Sequence, residues 1–242
     1  MKKLDDLQLY YGQDYKINDH ICIHQPRIGE ILEYGEAEYF GLVKTLTAIP
    51  SDMKSVLFDR DIDYEEIEDF DLFCMIARGF SQEQTAIIFG DLDFKKFQKV
   101  LVDGETRPIL YNPEGDIIID LRIYLLIVEY LRKVHGFKVK IEKAGNERTK
   151  RTLIELDRQD RLAAKQGGYQ SFLVPLISSL TNVPGFKYNS REVRDIGVYE
   201  FMDSVQRVNL IKSTDNLYRG IYAGTIDSSK IKNKDLDWMR GL

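Results

Sequence analysis

Apolar residues recur at steps of three and four along much of this chain, and that spacing places them on one face of an α-helix. The clearest case begins at Pro26, which suits the first turn of a helix because an N–H has no intrahelical partner there. The apolar stripe that follows is Ile28, Ile31, Leu32, Tyr39, Leu42, Val43 and Leu46. This pattern predicts an amphipathic helix whose glutamates lie mainly on the solvent side.

Two glycines interrupt this helical pattern. Gly29 and Gly35 should each cost a helix about 1 kcal/mol relative to alanine. Gly35 lies seven residues after Ile28 and therefore falls on the apolar stripe. One interpretation is that a small residue lets another backbone approach closely; the other is that a first helix ends near Gly35. The sequence leaves both open.

Similar helical patterns cover much of the remaining chain. Ser81 with Gln84 has the spacing of a capping box, and Gly136 is a plausible stop for the most apolar helix. The predicted helical segments are 63–79, 81–90, 91–101, 121–136, 146–165, 169–180, 190–208 and 214–224.

The β signals are fewer. Alternation of apolar and polar residues from Tyr15 to Ile23 predicts one half-buried strand. The sequence NPEG between two apolar runs predicts a β-hairpin near residues 106–120, and residues 137–142 predict a further short strand. The predicted fold is therefore mainly α with a minor β component and a helical C-terminal region.

The best linker candidate is the pair Gly167 and Gly168, which follows a highly charged helical segment. It predicts an α-rich N-terminal domain with a small β element over residues 1–166. A helical C-terminal domain would cover residues 169–242.

Composition limits the classes of partner. A net charge of −5 provides no basic field to attract nucleic acid or anionic lipid. Cys22 and Cys74 are too few for a disulfide framework. No apolar run approaches the roughly 20 residues that span a bilayer, and the N-terminus lacks the apolar core of a signal peptide. We therefore expect a soluble cytoplasmic protein with no membrane partner.

An acidic run at residues 59–71 resembles the start of a calcium loop. Asp59, Asp61 and Asp63 match the first three ligand positions. However, Tyr64 stands where a calcium loop needs glycine, and Phe70 stands where it needs glutamate. The run therefore favours a solvated helix start, where carboxylates complement the helix dipole.

Other signs of chemistry are equally incomplete. His20, Cys22 and His24 share one face of a strand but span about 13 Å, too far for one metal ion. Basic residues of 148–165 alternate with acidic ones and lack the aromatics that bind single strands. The sequence has no P-loop, GxGxxG, GxSxG or HExxH motif. We therefore expect no cofactor, no metal and no enzymatic activity.

A family resemblance is carried by both ends of the chain. The N-terminal strand is followed by QP and then by IGEI, GE and F within residues 28–40. The segments LTAIPSDMK and DFDLF come next. The chain closes with NLYRGIYAGTIDSSKIKNKDLDWMRGL. This order resembles the tail assembly chaperones encoded in the tail-gene clusters of long-tailed, siphovirus-type phages or prophages of Gram-positive bacteria.

The resemblance implies a non-enzymatic protein of the infected host cytoplasm. It would bind the tape measure protein, keep its apolar segments from aggregating and help recruit tail tube subunits, with self-association as a further property. The expected contact residues are Ile28, Ile31, Leu32, Tyr39, Tyr218, Ile221, Tyr222 and Trp238. Three alternatives stay open: a virion structural protein such as a connector, tail or baseplate component, a nucleic-acid-binding accessory protein, and a hydrolase using dispersed carboxylates.

Overall fold

Helices make up most of the architecture. The computed structural model describes residues 4–101 and 107–241. The α-helices in these ranges are α1 (Asp6–Tyr10), α2 (Ile28–Tyr34), α3 (Glu36–Leu46), α4 (Lys54–Phe58), α5 (Asp69–Ala77), α6 (Gln82–Phe89), α7 (Leu121–His135), α8 (Glu147–Gly167), α9 (Leu173–Thr181) and α10 (Val198–Tyr222). The same described ranges contain a two-stranded and a three-stranded sheet, so the predicted class, mainly α with a minor β component, is confirmed.

The first sheet is a hairpin rather than the single strand that alternation predicted. Strand β1 (Tyr15–Lys16) pairs antiparallel with β2 (Cys22–Ile23). The chain reverses between them because the side chain of Asn18 accepts hydrogen bonds from the N–H groups of His20 and Ile21, at 2.9 and 2.7 Å. An Asn side chain that bonds its own downstream backbone is a turn former, and here it overrides an alternating pattern.

The second sheet contains the predicted hairpin and one strand more. Strands β3 (Gln98–Leu101), β4 (Pro108–Asn112) and β5 (Ile117–Ile119) are antiparallel in that order. Strands β4 and β5 confirm the hairpin expected near residues 106–120, although Thr106 itself lies outside the described residues.

Two local predictions are wrong. The helix expected over 91–101 is a short 3-10 turn, Phe94–Lys96, followed by β3. Within the described residues, the segment 137–142 pairs with no strand and has no regular secondary structure, and its side chains are exposed or half-buried. That segment is held by Glu142, which accepts a hydrogen bond from Lys54 Nζ at 2.9 Å. The ammonium groups of Lys140 and Lys54 lower the pKa of Glu142 to about 2.

Helix boundaries also differ in the acidic and C-terminal regions. The helix predicted from residue 63 begins only at Asp69, as α5. The two helices predicted over 190–208 and 214–224 are a 3-10 turn, Glu192–Asp195, followed by the continuous 25-residue helix α10. At about 1.5 Å per residue, α10 is roughly 40 Å long.

The two glycines of the opening stretch have different roles. Helix α2 ends at Gly35, whose φ of +110° is accessible mainly to glycine, and α3 starts at the next residue. The break is therefore the correct interpretation of Gly35. The close approach occurs at Gly29 instead, where an added Cβ would lie 3.0 Å from the backbone oxygen of Arg194.

One hydrophobic core joins residues from both halves of the chain. Helix α7 contributes a buried face that includes Tyr124, Ile127, Tyr130, Leu131 and Val134. The segment after Gly168 contributes Leu173, Leu180, Val193, Val198 and Phe201 to the same cluster. The division into residues 1–166 and 169–242 stays a prediction, with residues 1–3, 102–106 and 242 outside the described part.

Candidate protein-interaction surface

Three of the four N-terminal contact candidates lie inside the core. Ile28, Ile31 and Tyr39 have no exposed surface, whereas Leu32 is 43% exposed. The Arg194 backbone packs against α2 at Gly29, and Ile28 N–H donates to the Ile196 carbonyl at 3.0 Å. Because Ile28, Ile31 and Tyr39 are buried within the fold, the stripe offers only Leu32 to a partner.

Tyr39 also forms a buried polar contact with α7. Its hydroxyl lies 2.6 Å from Nε2 of His135, and Nδ1 of His135 lies 2.7 Å from the Leu131 carbonyl oxygen. Since a carbonyl only accepts, Nδ1 carries the proton and Nε2 accepts from the tyrosine hydroxyl. Burial lowers the pKa of His135 to about 4 and raises that of Tyr39.

The four C-terminal candidates share one region, the last part of α10 and the chain that follows it. Tyr222 is 84% exposed, Trp238 is 46% exposed and Tyr218 is 36% exposed, while Ile221 is half-buried. The rings of Tyr218 and Tyr222 stack with centroids 6.2 Å apart and planes 18° apart. Met239, which sequence reasoning missed, is 71% exposed next to Trp238. We call Tyr218, Ile221, Tyr222, Trp238 and Met239 the C-terminal surface.

The last part of α10 carries few buried side chains. Beyond Phe201 and Met202, only Ser204, Leu210 and Thr214 are buried on this helix. The helix is therefore anchored in the core by its first turns, and its last turns present Tyr218, Ile221 and Tyr222.

The chain after α10, residues 225–241, which we call the tail, folds back along the helix. The Tyr218 hydroxyl donates to the Leu236 carbonyl at 3.2 Å. Arg207 Nη1 donates to the carbonyl oxygens of Trp238 and Arg240 at 2.6 and 2.9 Å. These bonds bring Trp238 to α10. No sequence pattern indicated Arg207, because its acceptors are backbone carbonyls that any residue supplies.

The acidic run and the basic helix α8 neutralise each other. Lys150 pairs with Asp63 and Glu65 at 2.5 and 3.1 Å, and Arg158 pairs with Asp59 at 2.5 Å. Hydrogen bonding to Lys150 lowers the pKa of Asp63. These ion pairs hold α8 beside the loop after α4, so the charged groups of the acidic run already have partners within the fold.

One of the two N-terminal histidines lies between two carboxylates. His24 lies 2.8 Å from an oxygen of Asp14 through Nδ1 and 3.4 Å from Glu30 through Nε2, while His20 is exposed to solvent. Over residues 4–101 and 107–241, no three His, Cys, Asp or Glu side chains are grouped as metal ligands would be. In the same ranges, no helix has the length and apolar content to cross a bilayer.

Comparison with known families adds one finding about the C-terminal region. The family model of the YomV second domain matches residues 166–242. The matched range contains α9, α10 and the tail, and hence the whole C-terminal surface. YomV is a Bacillus phage-type protein, so the match indicates a phage-associated chain. No curated protein and no solved structure matches the chain.

Proposed function

We propose that this phage-associated chain is a non-enzymatic tail assembly chaperone that binds the tape measure protein through its C-terminal surface. The observation that carries the proposal is the exposure of Tyr222 at the end of α10 and of Trp238 and Met239 in the tail that folds back along this helix. This surface lies within the range that resembles the YomV second domain.

The chemistry of the surface suits a polypeptide partner. Tyrosine, tryptophan and methionine are enriched where proteins meet, and a stacked pair such as Tyr218 and Tyr222 adds a rigid apolar area with hydroxyls at its edge. Amphipathic helices dock their apolar side on such surfaces. A tape measure protein with long apolar helical segments is the kind of partner that fits.

In this proposal the chain contributes binding alone. It covers apolar segments of the tape measure protein until tail tube subunits assemble around it, and no side chain makes or breaks a bond. The setting is the infected host cytoplasm, and self-association through the same surface would compete with partner binding.

Co-expression with the tape measure and tail tube proteins of the same gene cluster, followed by affinity capture, tests the proposal. We expect capture of the tape measure protein by the wild type and a loss of at least about tenfold in the double variant Tyr222→Ser, Trp238→Ser. The matched control is Phe58→Ser, because Phe58 is 53% exposed at the end of α4, outside the C-terminal surface. Equal capture by all three proteins would contradict the proposal.

A virion structural role is the alternative that this design also addresses. A chaperone leaves the tail when assembly is complete, whereas a connector or baseplate component stays. Finding the chain in purified phage particles at the copy number of a structural subunit would therefore favour the structural role over the chaperone.

A further inference from the structure

Residues 138–141, which we call the open segment, lie between two anchored ends. At one end, Phe137 N–H donates to the Arg132 carbonyl at 2.9 Å. At the other end, Glu142 N–H donates to Ser51 Oγ at 3.1 Å, and Ser51 Oγ donates to the Glu142 carbonyl at 3.3 Å. The chain between these anchors contains no helix, turn or bend. The open segment is therefore a length of unbent chain that is fixed on both sides.

The backbone of the open segment is unpaired. None of the N–H and carbonyl groups of residues 138–141 forms a hydrogen bond with a described residue. Along an unbent chain, the backbone groups of successive residues point to opposite sides. Both backbone groups of Glu142 point to Ser51, so those of Val139 and Ile141 point away from Ser51. Because these two residues are exposed, another strand can reach their backbone groups as it would at a sheet edge.

The side chains of the open segment divide it into an apolar and a basic face. Val139 and Ile141 are 47% and 69% exposed, and β-branched residues of this kind favour strands. Lys138 and Lys140 alternate with them and are exposed as well. A strand added to this segment would therefore have apolar neighbours on one face and lysines on the other.

The surroundings of the open segment are basic, although the whole chain is acidic. Two open clefts border it, with volumes of about 630 and 430 Å³, and Lys44 lines both. Counted once each, seven basic and four acidic side chains line these clefts, whereas the net charge of the chain is −5. Lys44, Lys138 and Lys165 form no ion pair with any described residue. This local excess of positive charge favours an acidic partner.

We infer that the open segment is a docking site for an acidic strand of another protein, which pairs with the backbone of Val139 and Ile141. The occupant has Asp or Glu opposite Lys138 and Lys140 and apolar residues between them. A second copy of this chain is a poorer occupant. Paired antiparallel about residue 140, it would place Lys140 opposite Lys140, and directly opposed like charges destabilise a strand pair. The site shares no residue with the C-terminal surface, so the inference goes beyond the proposed function.

Three synthetic peptides test the inference on the full wild-type chain, because they separate backbone pairing from charge. The probe alternates glutamate and valine over about eight residues, enough to span the open segment and both anchors. One control alternates lysine and valine. The other repeats the acidic probe with every backbone nitrogen methylated, which keeps the charge but removes the main-chain donors. We expect the probe to bind at least about tenfold more tightly than either control.

A pair of variants tests the role of the Val139 backbone. Val139→Pro removes the outward N–H, since proline has no amide hydrogen, and Val139→Thr is the matched control that keeps it. Far-UV circular dichroism and thermal unfolding should show that both variants keep the fold, because this N–H has no partner among the described residues. Val139→Pro should weaken probe binding about fivefold or more, and Val139→Thr less than about twofold.

Residue-specific amide exchange locates the pairing in the wild type. At saturation with the acidic probe, the amides of Val139 and Ile141 should exchange at least about tenfold more slowly than in the free chain. Those of Lys138 and Lys140 should change less, because their N–H groups point to the side of Ser51.

Absence of saturable probe binding, or equal affinities of the methylated and unmethylated acidic peptides, would overturn the inference. Unchanged exchange at Val139 and Ile141 in the saturated wild type would overturn it too. These measurements need no variant, so they decide the matter even where Val139→Pro fails to fold. Equal probe binding by folded Val139→Pro and Val139→Thr would also contradict it. A concentration-dependent dimer that Val139→Pro abolishes would assign the segment to a second copy instead.

Discussion

The buried histidine of α7 allows a quantitative prediction about stability and pH. His135 is enclosed in the core and receives the Tyr39 hydroxyl bond at 2.6 Å. Burial lowers its pKa from 6.5 to about 4. The unfolded chain therefore binds a proton at His135 below a pH of about 6.5, whereas the folded chain resists doing so until about pH 4.

The sign and size of the effect follow from this difference. Between these two pH values the unfolded state binds more protons, so the stability from His135 is complete above about pH 6.5 and is lost as the pH falls towards 4. At about 1.36 kcal/mol for each pH unit, the full loss is roughly 3 kcal/mol. At pH 5 it should be about 2 kcal/mol.

The assay is urea unfolding of the wild type and His135→Gln at pH 7.5 and pH 5. At pH 7.5 the variant should be less stable by about 1–3 kcal/mol, because Gln cannot reproduce both buried hydrogen bonds. At pH 5 this difference should shrink by about 2 kcal/mol, since Gln does not titrate. His20→Gln, at an exposed position, is the control for loss of an imidazole. Parallel pH dependences for wild type and His135→Gln would refute the reasoning.

Three further predictions concern packing, docking and the surface. Gly29→Ala gains about 1 kcal/mol of helix propensity, but the new Cβ would lie 3.0 Å from the Arg194 backbone oxygen. Because such overpacking costs about 1–3 kcal/mol, we expect the variant to unfold at a lower urea concentration than the wild type. A higher urea midpoint would contradict the account. The Asp157 carboxylate accepts hydrogen bonds from Ser55 N–H at 2.9 Å and from Ser55 Oγ at 2.5 Å. Asp157→Ala removes this acceptor, so we expect the free energy of unfolding to fall by about 1–3 kcal/mol and amide exchange in α8 to become faster. Unchanged exchange there would exclude Asp157 as the anchor of α8. Tyr222→Ala should change stability by less than about 0.5 kcal/mol yet weaken capture of the tape measure protein, and normal capture would count against the surface.

Local rules predicted the helical part of this fold well. The Ser81–Gln84 pair caps α6 as expected, with Ser81 N–H donating to Gln84 Oε1 at 2.9 Å, and α7 ends at Gly136. The β4–β5 hairpin also follows from its turn sequence. In each case the deciding contact joins residues close in the chain, so the sequence contains it.

Tertiary contacts decided what the sequence left open. The stripes around Tyr39 and around Tyr218 have the same helical spacing, but only the first is covered by the core. The first stripe is in contact with residues far away in the chain, since Tyr39 meets His135 and Gly29 meets the Arg194 backbone, and no local pattern records such contacts. The fastening of the tail by Arg207 escaped prediction for the same reason.

The account depends most on the claim that the end of α10 contacts the tape measure protein. Site-specific photo-crosslinking tests this directly, with a benzoyl-phenylalanine placed at Tyr222 or at Phe58 and the tape measure protein co-expressed. The account predicts a crosslink to the tape measure protein from position 222 and none from position 58. An intact complex that crosslinks from position 58 and not from position 222 would contradict it.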